Sequence, residues 1–135
     1  MKTKKMLVIG IIDDDINLCE SLKDYLELNG YSVIVSHTGK EGVEIIKQKK
    51  IDFLVLDLQL PDINGYEICQ IIRKELKQKV LPIIIITGKF VSAEEKIQGL
   101  QLGADDFMAK PFPPEELLLR IKNLSFKIQN RTTHS

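Results

Sequence analysis

Short runs of branched apolar residues alternate along this chain with longer segments in which apolar residues recur every three or four positions. The first pattern predicts β-strands and the second predicts amphipathic helices. Strands are predicted over residues 6–12, 31–37, 51–57, 81–87 and 104–109, and helices over 16–30, 38–50, 66–79, 92–103 and 113–129. Regular alternation of strand and helix favours parallel pairing with right-handed crossovers. The pattern therefore predicts a single α/β domain with an open, doubly wound parallel sheet.

Local signals mark where several of the helices begin. Thr38 and Ser92 each stand three residues before a glutamate, which is the capping-box pattern. Asp15 is expected to cap or begin the first helix, because short polar side chains accept hydrogen bonds from free backbone amides there. The apolar face predicted for this helix consists of Ile16, Cys19, Leu22 and Leu26.

The composition is that of one soluble globular domain. The chain has 135 residues, of which 44% are hydrophobic and 28% charged, and this is enough to build a core. Lys and Arg together number 19, as do Asp and Glu, so bulk charge favours neither nucleic acid nor a membrane surface. The longest apolar run, residues 80–87, is too short to span a bilayer. Cys19 and Cys69 are expected to be buried free thiols, which fits a cytoplasmic protein.

Polar and charged residues stand at the ends of four predicted strands. The first strand is followed by Asp13 and Asp14, the third ends at Asp57, the fourth ends at Thr87, and the fifth is followed by Lys110. Ligands of such sheets bind beyond the carboxyl ends of the strands. We therefore expect three carboxylates, a hydroxyl and an ammonium group to meet at one edge of the sheet.

The types of these residues indicate phosphoryl chemistry. Crowded carboxylates resist ionising together unless a cation lies among them, and Mg²⁺ prefers one or two carboxylates together with water and a phosphate. A carboxylate can also attack phosphorus and form an aspartyl phosphate. In that case Mg²⁺ and Lys110 would balance the charge of the phosphoryl oxygens, and the Thr87 hydroxyl would donate to one of them.

Four segments together carry a resemblance to a known family. They are "IIDDDINL" at 11–18, "LVLDLQLPDINGYE" at 54–67, "IIIITG" at 83–88 and "GADDFMAKPF" at 103–112. In this order and at these intervals they resemble the receiver domain of bacterial two-component response regulators, over about residues 6 to 128. The resemblance implies a flavodoxin-like fold of five βα units with strand order 2-1-3-4-5. It places a receiver domain at residues 1–128 and a polar tail or the start of a linker at 129–135.

The resemblance implies a role for each residue at this edge. Asp57 would accept a phosphoryl group from a sensor histidine kinase or a phosphotransfer protein. Asp13, Asp14, Asp57 and the backbone carbonyl of Gln59 would bind Mg²⁺, and Lys110 would match the lysine of the family. Such a domain is not a turnover enzyme, because it catalyses only its own phosphorylation and dephosphorylation.

Two positions match the switch residues of the family, Thr87 and Phe107. Plain core packing is the alternative for Phe107, because the family position is often Tyr and Phe lacks the hydroxyl. The family also has a cis peptide bond at the position of Lys110–Pro111.

The process that phosphorylation would control is suggested by charged residues near the end of the chain. The fourth helix, fifth strand and fifth helix carry residues that look like the charged dimer face of regulators with winged-helix output domains, namely Lys96, Asp106, Glu116 and Arg120. This resemblance implies a homodimer on phosphorylation and control of transcription. DNA would then be contacted only through an output domain outside this chain, and no membrane would be involved. A stand-alone phosphorelay intermediate is the alternative.

Other interpretations are weaker. A Mg²⁺-dependent phosphatase of the haloacid-dehalogenase type would carry its Asp nucleophile after the first strand, whereas the candidate here follows the third. A flavin carrier is disfavoured because three carboxylates would repel its phosphate. Asp62 and Asn64 lie in a turn and are assigned to shape rather than chemistry. His37 and His134 have no evident partners in the sequence and are interpreted as incidental.

Overall fold

The computed structural model describes the backbone of residues 6–133 and the side chains of residues 6–125. The strands are β1 (Val8–Ile12), β2 (Ser32–Ser36), β3 (Phe53–Asp57), β4 (Ile83–Thr87) and β5 (Asp106–Ala109). The helices are α1 (Ile16–Leu28), α2 (Gly39–Gln48), α3 (Gly65–Gln70), α4 (Ala93–Gln101) and α5 (Pro114–Thr133), and a π-helical turn over Ile71–Glu75 extends α3. No helix in this described part of the chain is long and apolar enough to cross a membrane.

The five strands form one parallel sheet in the order β2-β1-β3-β4-β5. This confirms the predicted doubly wound sheet and the strand order implied by the family resemblance. The register pairs Ile12 with Leu56, Asp57 with Ile86, and Thr87 with Ala109. The carboxyl ends of β1, β3, β4 and β5 therefore lie side by side, and β2 is an edge strand.

Side chains of the central strands enter two separate cores. In β3, Leu54 and Leu56 pack in the core beneath α2 and α3, whereas Phe53 and Val55 pack in the core beneath α1 and α5. The isoleucines of β4 divide between the two cores in the same alternating way. A strand covered on both faces must be apolar at every position, which explains the unbroken apolar runs in the sequence.

Caps at the helix starts follow the predicted pattern. Asp15 Oδ1 accepts a hydrogen bond from the Leu18 amide at 3.1 Å, and Thr38 and Ser92 accept from the amides three residues later, both at 3.2 Å. Asp62 accepts from the Gly39 and Lys40 amides at the start of α2, at 2.7 and 2.9 Å. Asp62 thus ties the loop after β3 to α2, which fits the structural role expected for it.

Three sequence-based expectations about the helices were wrong. Ile16 was expected on the buried face of α1 but is 57% exposed, because it begins the helix beyond the edge of the sheet. The helix predicted over 66–79 is α-helical only to Gln70, widens into the π-helical turn, and ends before Lys77, whose φ is 56°. Helix α5 was expected to end at residue 129 but continues to Thr133, because no Gly or Pro interrupts it.

Candidate functional site

Asp13, Asp57, Thr87 and Lys110 follow or end four neighbouring parallel strands, so they meet at one edge of the sheet. Asp14 lies beside them. One carboxylate oxygen each from Asp13, Asp14 and Asp57 lies within 4.8 Å of the other two. The three carboxylates expected from the strand ends are therefore brought together.

Asp13 is buried, and its amide, its carbonyl and one of its carboxylate oxygens have polar partners. Its amide donates to the Ser36 carbonyl at 3.0 Å, and its Oδ1 accepts from the Asp15 amide at 2.9 Å. Its carbonyl contacts His37 Nδ1 at 2.9 Å and accepts from Cys19 Sγ at 3.4 Å. Sequence reasoning missed this support and took His37 as incidental, because the contact joins residues 24 positions apart. His134 lies outside the described residues.

Asp57 is also buried, with 4% of its surface exposed. Its Oδ1 accepts a long hydrogen bond from the Gln59 amide at 3.3 Å, and its Oδ2 lies 3.6 Å from Lys110 Nζ. Burial, followed by repulsion from Asp13, raises the pKa of Asp57 to about 6, although Lys110 and the Gln59 amide act in the opposite direction. The negative charge of Asp57 is thus incompletely compensated by the protein.

Lys110 lies between the two buried carboxylates. Its Nζ is 2.7 Å from Asp13 Oδ2 and 3.6 Å from Asp57 Oδ2. Burial opposes the charged form of Lys110, but hydrogen bonding and attraction to Asp13, and then attraction to Asp57, raise its pKa overall. Its amide donates to the Thr87 carbonyl at 2.9 Å, and the Lys110–Pro111 bond is cis, as the family resemblance implied.

The donor set fits a hard divalent cation. Within the described residues, Asp13 Oδ2 is a buried oxygen that receives no well-aligned hydrogen bond, although it forms the ion pair with Lys110. Asp14 is exposed, so water has access to the cluster. Carboxylate oxygens with room for water are the surroundings that Mg²⁺ prefers. Gln59 is placed beside this cluster by its amide hydrogen bond, and the role of its carbonyl as a ligand stays a prediction.

Thr87 and Phe107 border a cavity of about 170 Å³ next to this site. Thr87 is buried, and its hydroxyl oxygen accepts from the Lys89 amide at 3.1 Å. The Phe107 ring packs on α4 at Gly99, where an added Cβ would lie only 2.4 Å from the ring, and its centroid is 6.5 Å from that of Tyr66. The ring of Phe107 thus rests against α3 and α4, with open space between it and Thr87.

The four residues of the expected dimer face are not all adjacent. Arg120 forms ion pairs with Asp106 on β5 at 2.5 Å and with Glu116 on α5 at 3.0 Å. Lys96 lies apart from them, beside the cavity next to Thr87. The spacing of Glu116 and Arg120 is the helical i,i+4 signal for such a pair, and the pairing with Asp106 depends on the fold.

Gly65 supports the position of Asp57, and this gives a direct test of the site. A Cβ at residue 65 would lie 2.8 Å from the Asp57 carbonyl oxygen and 2.9 Å from Leu58 Cα, both backbone atoms. We expect Gly65→Ala to destabilise the fold by about 1–3 kcal/mol in urea unfolding and to weaken Mg²⁺ binding. Gly88→Ala is the matched control, because nothing lies within 4 Å of the added Cβ. Equal unfolding free energies for the two variants would contradict this role of Gly65.

Comparisons with known proteins place this arrangement in a family. Residues 9–122 match the family model for the response regulator receiver domain. The chain is 41% identical over 130 residues to "Probable transcriptional regulator ycf27" of Cyanidium caldarium, covering 96% of this chain and 51% of that protein. It is 41% identical over 116 residues to response regulator MprA of Mycobacterium avium, covering 86% of this chain and 50% of that protein. The chain thus spans about half the length of these curated relatives.

A solved structure agrees with the sequence comparison. A CheY-like response regulator receiver domain protein from Methanospirillum hungatei superimposes with a TM-score of 0.85 at 31% identity, over 93% of this chain and 99% of that one. The fold and the acidic edge define a regulatory receiver domain rather than a conventional enzyme. The chain belongs to the family of response regulator receiver domains, which serve two-component signalling.

Proposed function

We propose that this domain is a phosphorylation switch, which takes a phosphoryl group onto Asp57 from a sensor histidine kinase or phosphotransfer protein. The observation that carries the proposal is the convergence of Asp13, Asp14 and Asp57 with Lys110 in a receiver-domain fold. The relatives named as transcriptional or response regulators support transcription as the output. We assign residues 1–128 to the receiver domain and residues 129–135 to a polar tail or the start of a linker. DNA would be bound only by an output domain outside this chain.

The chemistry of the transfer follows from the residues around Asp57. An Asp57 carboxylate oxygen forms the new O–P bond as the P–N bond to the kinase histidine breaks. The Lys110 ammonium neutralises part of the phosphoryl charge, and the Thr87 hydroxyl donates to a phosphoryl oxygen. Asp13, Asp14, Asp57 and the Gln59 carbonyl would hold Mg²⁺, which when bound supplies positive charge against the phosphoryl oxygens. The same groups also serve hydrolysis, so the domain limits the lifetime of its own signal.

The phosphoryl donor would approach beside α1. An open groove of about 320 Å³ next to the site is lined by Asp15, Leu18, Lys110, Pro111 and Phe112. The exposed side chain of Ile16 begins the same helix. Apolar residues at the rim of a charged site provide contact area for a protein partner without blocking Asp57.

The signal would travel from Thr87 to Phe107. Phosphorylation adds negative charge and three acceptor oxygens at Asp57, and the Thr87 hydroxyl moves toward one of them. The Phe107 ring then turns into the cavity of about 170 Å³ and loses its packing contact with Gly99. Because Gly99 belongs to α4, the movement changes the face formed by α4, β5 and α5.

This α4–β5–α5 face is suited to self-association. It carries the ion pairs of Arg120 with Asp106 and Glu116. Its helices also expose large apolar side chains, since Ile97 is 56% exposed and Leu119 is 59% exposed. Apolar side chains between charged groups are typical of a reversible protein interface. We propose that two phosphorylated copies associate through this face, with Lys96 at its margin.

Beryllofluoride, which mimics a phosphoryl group on a carboxylate, tests this switch. With Mg²⁺ present, NMR shifts should extend from Asp57 to Phe107 and to the α4–β5–α5 face, and the dimer fraction should rise. Asp57→Asn is the control and should show neither change. Shifts confined to the surroundings of Asp57 would instead indicate a phosphoacceptor without this switch, as in a relay intermediate. The absence of any shift would contradict the proposed function.

A further inference from the structure

A second surface lies at the opposite end of the sheet from Asp57. The segment 49–52 before β3 and the segment 77–82 before β4 enclose an open groove of about 610 Å³. Both segments precede their strands, so the groove, hereafter the lysine groove, lies at the amino-terminal edge of the sheet. A strand of five residues rises roughly 3.3 Å per residue, which separates the two edges by about 15 Å. A partner in the lysine groove would therefore leave Asp57 accessible.

The lysine groove concentrates positive charge in a chain with a formal net charge of zero. Four exposed lysines line it, namely Lys49, Lys50, Lys77 and Lys79. Among the described residues, none of the four forms an ion pair. Asp52 is the acid in the lining, and its Oδ2 accepts from the Val8 amide at 2.7 Å. Four lysines against one occupied carboxylate favour an anionic partner.

Lys77 has a backbone conformation that would suit glycine better. Its φ is 56°, and no other non-glycine residue in the described part of the chain has a positive φ. Leu76 is the C-cap of the π-helical turn, so Lys77 occupies the C′ position that follows, where glycine is usual. A lysine here carries strain that a glycine would avoid. The Lys77 side chain thus projects from a backbone conformation that favours glycine over lysine.

The walls and floor of the lysine groove are preformed. Arg73 donates to the Gln78 carbonyl at 2.7 Å and to the Gly103 carbonyl at 2.7 Å, which fixes the segment after the π-helical turn. The floor is apolar, with buried Ile51 and Leu81 beside Val80, which is 78% exposed. A fixed groove with an apolar floor and a charged rim can bind an extended segment without reorganising.

We propose that the lysine groove binds an acidic polypeptide segment of a partner protein, with an apolar side chain of that segment covering Val80. A nucleic acid is disfavoured, because the lining contains neither an aromatic residue for base stacking nor an arginine for bidentate phosphate contacts. The acidic side chains pair with the four lysines at the rim. Binding therefore weakens as salt rises, whereas the apolar contact at Val80 persists.

The test uses a fluorescein-labelled peptide of alternating glutamate and leucine residues and the ¹⁵N-labelled full chain. Saturable amide shifts should appear in segments 49–52 and 77–82. The double variant Lys50→Glu/Lys79→Glu should lose about tenfold or more in affinity at low salt. Lys23→Glu/Lys122→Glu, which makes the same charge change at exposed positions on α1 and α5, should bind as the wild-type chain does. A peptide with alanine in place of leucine should bind more weakly.

Lys77→Gly separates binding from folding. This variant removes one rim charge and relieves the positive φ, so its melting temperature should not fall although its affinity for the peptide does. Three outcomes would overturn the proposal. They are no saturable shift in the lysine groove, equal weakening by the Lys23 and Lys122 control, and tighter binding of a DNA oligonucleotide of equal charge at the same amides.

Discussion

Asp57→Asn should abolish phosphorylation of this domain. Wild-type protein incubated with Mg²⁺ and acetyl phosphate should gain one phosphoryl group that is acid-stable and base-labile, as expected of an acyl phosphate. The asparagine side chain keeps the shape of the buried aspartate but has no anionic oxygen to attack phosphorus. Intact-mass analysis should therefore find the variant folded and unlabelled.

Asp15→Asn is the matched control for this loss. Asp15 belongs to the same acidic run, but it caps α1 and is not among the three clustered carboxylates. Asparagine caps helices as well as aspartate does, so this variant should be labelled like the wild type. Labelling of Asp57→Asn at the wild-type level would refute the assignment of the nucleophile. Loss of labelling in both variants would point to general damage at this edge of the sheet.

The fold was predictable because its signals are local and repeated. Each central strand is apolar on both faces, each crossover carries a helical period, and polar residues interrupt the pattern where strands end. In a parallel sheet those ends share one edge, so the convergence of Asp13, Asp57 and Lys110 followed from the alternation alone. The strand order is a property of the whole topology, and it came from the family resemblance.

The features that were missed depend on contacts between distant parts of the chain. His37 supports the Asp13 carbonyl only because β2 lies beside β1. Arg73, in the π-helical turn after α3, donates to the Gly103 carbonyl 30 residues later. Secondary-structure propensities and hydrophobic periodicity act over a few residues and contain no signal for such contacts. For the same reason the ion pair between Asp106 and Arg120 could not be predicted from the sequence.

The acidic edge also carries a cost to stability, which the sequence alone did not quantify. Burial, followed by repulsion from Asp13, raises the pKa of Asp57 from 3.8 to about 6. A carboxyl that holds its proton more tightly when folded than when unfolded loses native stability as the pH rises. The loss is absent below about pH 4, grows between about pH 4 and 6, and is complete at higher pH. At about 1.4 kcal/mol per pKa unit it reaches roughly 2–3 kcal/mol.

In EDTA at pH 7, Asp57→Asn should therefore be more stable than the wild-type protein by up to about 3 kcal/mol. The difference should shrink as the pH falls and vanish near pH 4, as measured by urea unfolding across this range. Asp24→Asn, at an exposed position on α1, should show no comparable gain. A thousandfold excess of Mg²⁺ over Kd should reverse the order, because binding then adds about 4.1 kcal/mol to the stability of the native wild type and the variant has lost a ligand. A variant no more stable than wild type in EDTA at pH 7 would show that Lys110 already compensates the charge of Asp57.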